Sequence, residues 1–159
     1  MPDPAEPIDR TALLYLLRRQ SEEAIRFAAV FGETHGLHQT DVSALAAIAH
    51  GAASGTPLGP AALASTLHLS RPATTALLDR LERAGHVARR PDPDDRRRSV
   101  IEMQPAASAL AGEFFGPLGA AFGRAIERYT PEQLEVVAAF LRDVTDATIS
   151  TREALTPRP

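Results

Sequence analysis

The chain has 159 residues, enough for one domain with a real core, and is 44% hydrophobic and 23% charged, which excludes a disordered chain. It holds no cysteine, so disulfides, thiol redox sensing and cysteine-bound zinc are excluded. The net charge of −3 argues at first against a polyanionic partner, yet residues 71–98 hold eight arginines against five acids, so a basic middle lies between acidic flanks.

No apolar run reaches the ~18 residues of a membrane span. Met1 to Asp9 is proline-rich and acidic and lacks the basic start and apolar stretch of a signal peptide, so a cytoplasmic location is expected. Lysine is absent. Arginine supplies a planar donor fork that suits phosphates and guanine edges.

The first helix is expected from Asp9 to Gly32. Its apolar residues, among them Leu13, Leu16, Ile25, Phe27 and Phe31, cover more than one stripe, which calls for two partners: the chain's own core and a second subunit. Gly36 follows as a stop. A second helix is expected after Thr40 as N-cap, to Ala53, with Val42, Leu45, Ala46, Ile48 and Ala49 inward. Within the Gly51–Gly59 loop, Thr56-Pro57-Leu58 suits a very short edge strand. Gly59-Pro60 opens a third helix. His68-Leu69-Ser70 makes a turn, Ser70 caps a fourth helix from Arg71 to Ala84, and Gly85 ends it. Ala73, Leu77, Leu78 and Leu81 are expected inward. Two helices joined by so short a turn form a helix-turn-helix.

The period then changes. His86–Arg90 and Ser99–Met103 read as strands around the turn-forming Pro91–Asp95, the layout of a wing. Pro105 opens a long helix to about Tyr129, with a kink expected at Gly116-Pro117. Thr130-Pro131-Glu132-Gln133 is a capping box for a last helix to about Thr148, striped by Leu134, Val137, Ala138, Leu141 and Val144, with fraying from Arg152. The expected fold is therefore mainly α with a small β wing. Residues 1–36 form a dimerisation helix, 37–104 a winged helix-turn-helix lobe and 105–159 further dimerisation helices.

In a helix-turn-helix the start of the second helix enters the major groove. That places Ser70, Arg71, Thr74 and Thr75 at base edges or phosphates, and Arg80 at the backbone or on a neighbouring acid. Arg96 and Arg97 at the hairpin tip repel one another, which makes sense if the tip meets a polyanion. Asp95 beside them orients an arginine by a charge-assisted pair. Arg98 reads as a solvated charge. An arginine run on a hairpin is often only a solvated surface, but here a capped helix pair precedes it, which favours duplex DNA.

Residues Leu63 to Ala107 resemble the multiple-antibiotic-resistance regulator (MarR) family. The most specific parts are Leu81-Glu82-x-x-Gly85-x-Val87-x-Arg89, then Asp95-Arg96-Arg97, with Pro105-Ala106 beyond. The looser likeness covers nearly the whole chain. Met103-Gln104-Pro105-Ala106-Ala107 departs from the common Leu-Thr-Pro-x-Gly, which removes a helix cap at Gln104. The resemblance implies a triangular homodimer that sets two winged helices on a pseudo-palindrome with half-sites about 34 to 36 Å apart. It identifies Asp95 and Arg97 with the family's Asp-x-Arg wing element, and implies repression relieved by a small aromatic or anionic effector. By the same analogy Tyr15, Arg19, Phe27 and His35 are the effector-site candidates.

His35, His38 and His50 lack the supporting ligands of a metal site, so neither metal nor cofactor is expected. No Gly-x-Ser-x-Gly, phosphate-cradling glycine loop or His-Glu-x-x-His is present, so an enzyme is not expected. The remaining alternative is a winged helix that binds a protein partner without DNA, against which Arg71, Arg96 and Arg97 speak.

Overall fold

The computed structural model describes residues 9–92, 95 and 98–155. Along the chain lie α1 (Arg10–His35), α2 (Gln39–Ala53), α3 (Pro60–Leu67), α4 (Arg71–Arg83), β1 (Val87–Pro91), β2 (Ser99–Met103), α5 (Pro105–Ile126) and α6 (Pro131–Leu155). This is the mainly helical fold with a two-stranded wing that the sequence leads one to expect. The chain divides into two compact units, one ending at Ala111 and the other beginning at Gly112 within α5.

In the first unit, the Asp9 carboxylate accepts the Ala12 N–H at 2.7 Å and starts α1. The helix continues past the expected end at Gly32, to His35. Gly32 is buried inside α1, and a Cβ there would stand 2.9 Å from the Leu37 carbonyl oxygen, so this glycine permits a close approach rather than a stop. The stop is Gly36. α2 begins after His38, not Thr40, because the Asp41 carboxylate accepts the His38 N–H at 3.0 Å. The buried face of α2 is accordingly Asp41, Ala44, Leu45, Ile48 and Gly51; Ala46 and Ala49, expected inward, are exposed.

The segment Thr56–Leu58 is not a strand, although the Leu58 carbonyl accepts the Ile101 N–H of β2 at 2.9 Å. Gly59 then caps α3. A Cβ at Gly59 would stand 2.7 Å from the Ser99 carbonyl oxygen, so only glycine lets the start of α3 lie against the wing. His68 adopts the left-handed conformation, φ +53°, in the turn between α3 and α4. Its N–H reaches the Ser65 carbonyl and the Leu69 N–H reaches that of Ala64, the paired bonds of a Schellman ending.

Ser70 accepts the Ala73 N–H at 3.3 Å and starts α4. At its other end the Gly85 N–H bonds the Glu82 carbonyl and the His86 N–H bonds that of Leu81, with Gly85 at φ +75°. This Schellman turn delivers the chain directly into β1. β1 and β2 pair antiparallel from Val87↔Met103 to Pro91↔Ser99. One core gathers Leu45 and Ile48 of α2, Leu63 of α3, Leu77, Leu78 and Leu81 of α4, Val87 of β1 and Ile101 of β2.

In the second unit, α5 passes Pro117 as one continuous helix, so the missing proline donor is absorbed without ending it. The Thr130 N–H bonds the Gln133 side-chain oxygen at 2.9 Å and the Gln133 N–H bonds the Thr130 hydroxyl at 3.3 Å, the reciprocal capping box. A hydrogen bond from Thr130, then one from its own backbone N–H, hold the exposed Glu132 carboxyl below its ordinary value. α6 reaches Leu155, beyond the expected end at Thr148 and through the expected fraying at Arg152. Thr145 and Thr148 donate to the carbonyls of Leu141 and Val144, so their hydroxyls are satisfied within the helix and do not end it. Among the described residues, no helix is long and apolar enough to cross a membrane.

The contact at Gly59 is with backbone, which has little room to give. Gly59→Ala should lower the unfolding free energy by about 1 to 3 kcal/mol, read by urea denaturation. An unchanged midpoint would show that the start of α3 shifts freely from β2.

Candidate nucleic-acid interface

The helix-turn-helix is α3 and α4, and the orientation of α4 follows from which residues it buries. Those are Thr74, Leu77, Leu78 and Leu81, the i, i+3, i+4, i+7 stripe of an amphipathic helix. Thr74 is 2% exposed, and its hydroxyl donates to the Ser70 carbonyl at 3.0 Å. This corrects the expectation that Thr74 faces a groove. Ala73, expected inward, is exposed instead. Apolarity pointed to Ala73, but the helical period selects Thr74, whose methyl and back-bonded hydroxyl suit an interior.

Ser70, Arg71 and Thr75 are exposed on the outer side of the same turns, with Pro72 and Ala76. The Thr75 hydroxyl donates to the Arg71 carbonyl at 3.0 Å, which leaves its oxygen free to accept. Arg71 and Arg83 have no acid within ion-pair distance among the described residues, and the same holds for Arg98.

Arg80 is committed differently. Its Nε lies 3.2 and 3.3 Å from the two oxygens of Asp41, and its Nη2 lies 2.5 Å from Oδ1. Asp41 is 2% exposed, whereas the Arg80 side chain is 43% exposed. The buried carboxylate therefore joins the first turn of α2 to α4, and the outer edge of the guanidinium stays at the surface. Arg89 pairs with Asp79 and Glu82, and Arg90 stands 3.9 Å from Glu102.

At the wing, the Asp92 carboxylate accepts the Asp95 N–H at 3.4 Å, the Arg98 N–H donates to the Asp95 carbonyl at 2.8 Å, and the Arg98 carbonyl accepts the Asp92 N–H at 3.0 Å. Asp95 is exposed. Arg96 and Arg97, named above as wing contacts, lie outside the described residues, and with Arg97 so does half of the Asp-x-Arg wing element.

The four effector-site candidates all lie on α1. Tyr15 and Arg19 are exposed on α1, Phe27 is half-buried, and His35 packs on Phe31 with ring centroids 4.7 Å apart. A groove of about 430 Å³ lies instead between α1 and α2, lined among others by Ile25, Ala28, Gly32, Glu33, Leu37 and Val42. None of the four candidates lines it. No group of three or more His, Asp or Glu among the described residues stands close enough to hold a metal ion.

The Asp41–Arg80 contact spans 39 positions and leaves no local trace in the sequence; the only nearby signal is an acid three residues after His38. Arg80→Met should destabilise the chain by about 2 to 3 kcal/mol, because it strands a buried carboxylate. Asp41→Asn combined with Arg80→Met should cost less than the sum of the single changes. Additive costs in calorimetry would show that the two side chains do not act as a pair.

Three comparisons bear on this geometry. The MarR family model matches residues 35–98, the helix-turn-helix and the start of the wing. The uncharacterized HTH-type transcriptional regulator YcgE of Bacillus subtilis is 34% identical over 139 residues, covering 87% of this chain and 87% of its own. Among solved structures, a mutant MepR from a multidrug-resistant S. aureus clinical isolate superposes with a TM-score of 0.67 at 22% identity, covering 86% of this chain and 96% of that one. The S. aureus MepR–DNA complex superposes at 0.57 and 21% identity, covering 84% and 94%. These structural likenesses carry the fold, the homology to YcgE carries the class, and neither belongs to an enzyme. A capped recognition helix with a hairpin behind it, a family model over that lobe and a regulator homologous along most of the chain give one answer: the chain belongs to the MarR family of winged-helix transcriptional regulators.

Proposed function

We propose that the chain acts in the cytoplasm as a homodimeric repressor on a pseudo-palindromic operator. The observation that carries this is the outer face of α4. Arg71 and Thr75 are exposed there while Thr74, Leu77, Leu78 and Leu81 hold the opposite face in the core. Arg71 reaches a guanine edge or a phosphate, and Thr75 offers a methyl and an acceptor to a base. Arg96, Arg97 and Asp95 form the second grip, on the adjoining minor groove. The DNA complex of the similarly folded MepR supports this reading.

Two apolar surfaces support a dimer. α1 exposes Leu14, Tyr15, Ile25 and Val30. In the second unit Phe122 and Ile126 of α5, and Val136, Val137 and Leu141 of α6, are exposed, Val136 by 70%. Apolar surface of this extent on long helices marks an interaction face. A second copy covers it in the proposed assembly.

The α1–α2 groove supports an effector. Its volume lies within the range of small-molecule sites, and its lining is mostly aliphatic. Among the described residues Glu33 is the one charged residue lining it, which favours a neutral or cationic aromatic compound over an anion.

Mobility shift with the DNA upstream of the protein's own reading frame tests the main reading. Binding should weaken steeply with salt, by a slope of about 0.9 for each phosphate contact in log–log form. Absent or salt-insensitive binding to every selected duplex would end it. Arg97→Ala should weaken binding to most sequences, whereas Thr75→Ala should relax discrimination at one base position, by about 1 to 3 kcal/mol. Val137→Glu with Leu141→Glu should give a monomer in light scattering; a persisting dimer would remove α6 from the interface.

A further inference from the structure

The arginines between positions 71 and 98 do not share one role. Arg89 makes contacts that a phosphate-seeking arginine has no use for. Its backbone N–H donates to Glu82 Oε1 at 2.8 Å while its Nη1 lies 3.0 Å from Glu82 Oε2. Its Nη2 donates to Asp79 Oδ1 at 2.7 Å and approaches the Thr75 carbonyl oxygen at 3.5 Å. Positions 75, 79 and 82 are spaced i, i+4 and i+7, one face of α4. The guanidinium thus lies along the recognition helix, from its last turn back to the level of Thr75.

One guanidinium between two carboxylates carries a net charge of −1. Placed beside a surface proposed to meet phosphates, such a cluster attracts nothing and opposes a polyanion. What it supplies is geometry. Between α4 and β1 the chain passes only through Ala84, Gly85 and His86, and Gly85 is the residue type with the widest backbone freedom. Val87 and Ile101 seat the hairpin in the core and the Ile101 N–H bonds the Leu58 carbonyl, and to these contacts Arg89 adds a direct tie to α4. Arg89 ties the first strand of the hairpin to the helix by main chain and side chain together, and a planar fork can hold both acids at once where an ammonium cannot.

We propose that Arg89 is a positioning residue that locks the wing to the recognition helix, so that both grips meet the duplex in fixed register, and that its charge does not act on DNA directly. This rests on the DNA-binding reading above, but its mechanical part is open to a test without DNA.

The test uses the full chain with Arg89→Met, Arg89→Lys and Asp79→Asn, each checked for fold by circular dichroism. Fluorescence anisotropy on a duplex selected from a random pool, and on a random duplex, gives the operator-to-random affinity ratio. All three changes should lower that ratio by about tenfold or more, lysine failing to rescue. Arg89→Met should leave the salt slope on random duplex unchanged. Asp79→Asn separates the readings by sign: loss of an acid that merely repels phosphates would tighten both duplexes and leave the ratio alone. That result overturns the proposal, as does a salt slope flattened by about 0.9 in Arg89→Met, the mark of a lost phosphate contact. Amide exchange of the free protein is the second readout. Arg89→Met should speed exchange across β1 and β2 while α4 stays protected, and unchanged wing exchange overturns the lock. If the unaltered chain binds no duplex, the DNA reading fails and exchange alone decides the lock.

Discussion

A carboxylate with 2% of its surface exposed is tolerable only if protein groups replace its lost water, and Asp41 finds them in two places. The His38 N–H at the start of α2 is one, and the Arg80 guanidinium on α4 is the other. The helix dipole at the start of α2 favours the negative charge as well. Because the carboxylate cannot be left without either partner at low cost, α2 and α4 are held at one spacing. The shared core of Leu45, Ile48, Leu77, Leu78 and Leu81 fills behind that pair. Apolar packing supplies most of the free energy, but it is not directional; the ion pair adds direction.

Once α4 is fixed in rotation, its outer face is fixed too. Thr74 turns in and Thr75 turns out, though the two are chemically the same, because the helical period admits only one of them to the stripe completed by Leu77, Leu78 and Leu81. Gly59 and the Leu58 carbonyl do for the wing what Asp41 does for α2. They bring the start of α3 and the preceding loop onto β2, so that the hairpin is braced by both helices of the motif.

The basic stretch looks different once folded. Arg80, Arg89 and Arg90 face acids, while Arg71, Arg83 and Arg98 have no such partner among the described residues. An excess of positive charge counted along a sequence is thus divided between arginines that hold the scaffold and arginines that face solvent. The division follows distance rather than sequence, since Asp41 lies far upstream of Arg80.

The sequence by itself determined the elements and most of their ends. Ser70, Gly85, Thr130 and Gln133 act through bonds to residues no more than a few positions away, so local chemistry suffices to read them, and the strand-turn-strand pattern marked the wing for the same reason. It also carried the family, through Leu81-Glu82-x-x-Gly85-x-Val87-x-Arg89. It misread the start of α2 and the end of α1, because Asp41 and Gly32 answer to neighbours on other elements as well as to their own helix, and it ended α6 too early, at Thr148, whose hydroxyl bonds back within the helix. Tertiary structure alone decided the phase of α4, the partner of Arg80 and the contacts of Arg89. Each depends on which surfaces meet in space, and a helix with polar, apolar and small residues on adjoining positions admits more than one rotation until a core and a buried charge select it.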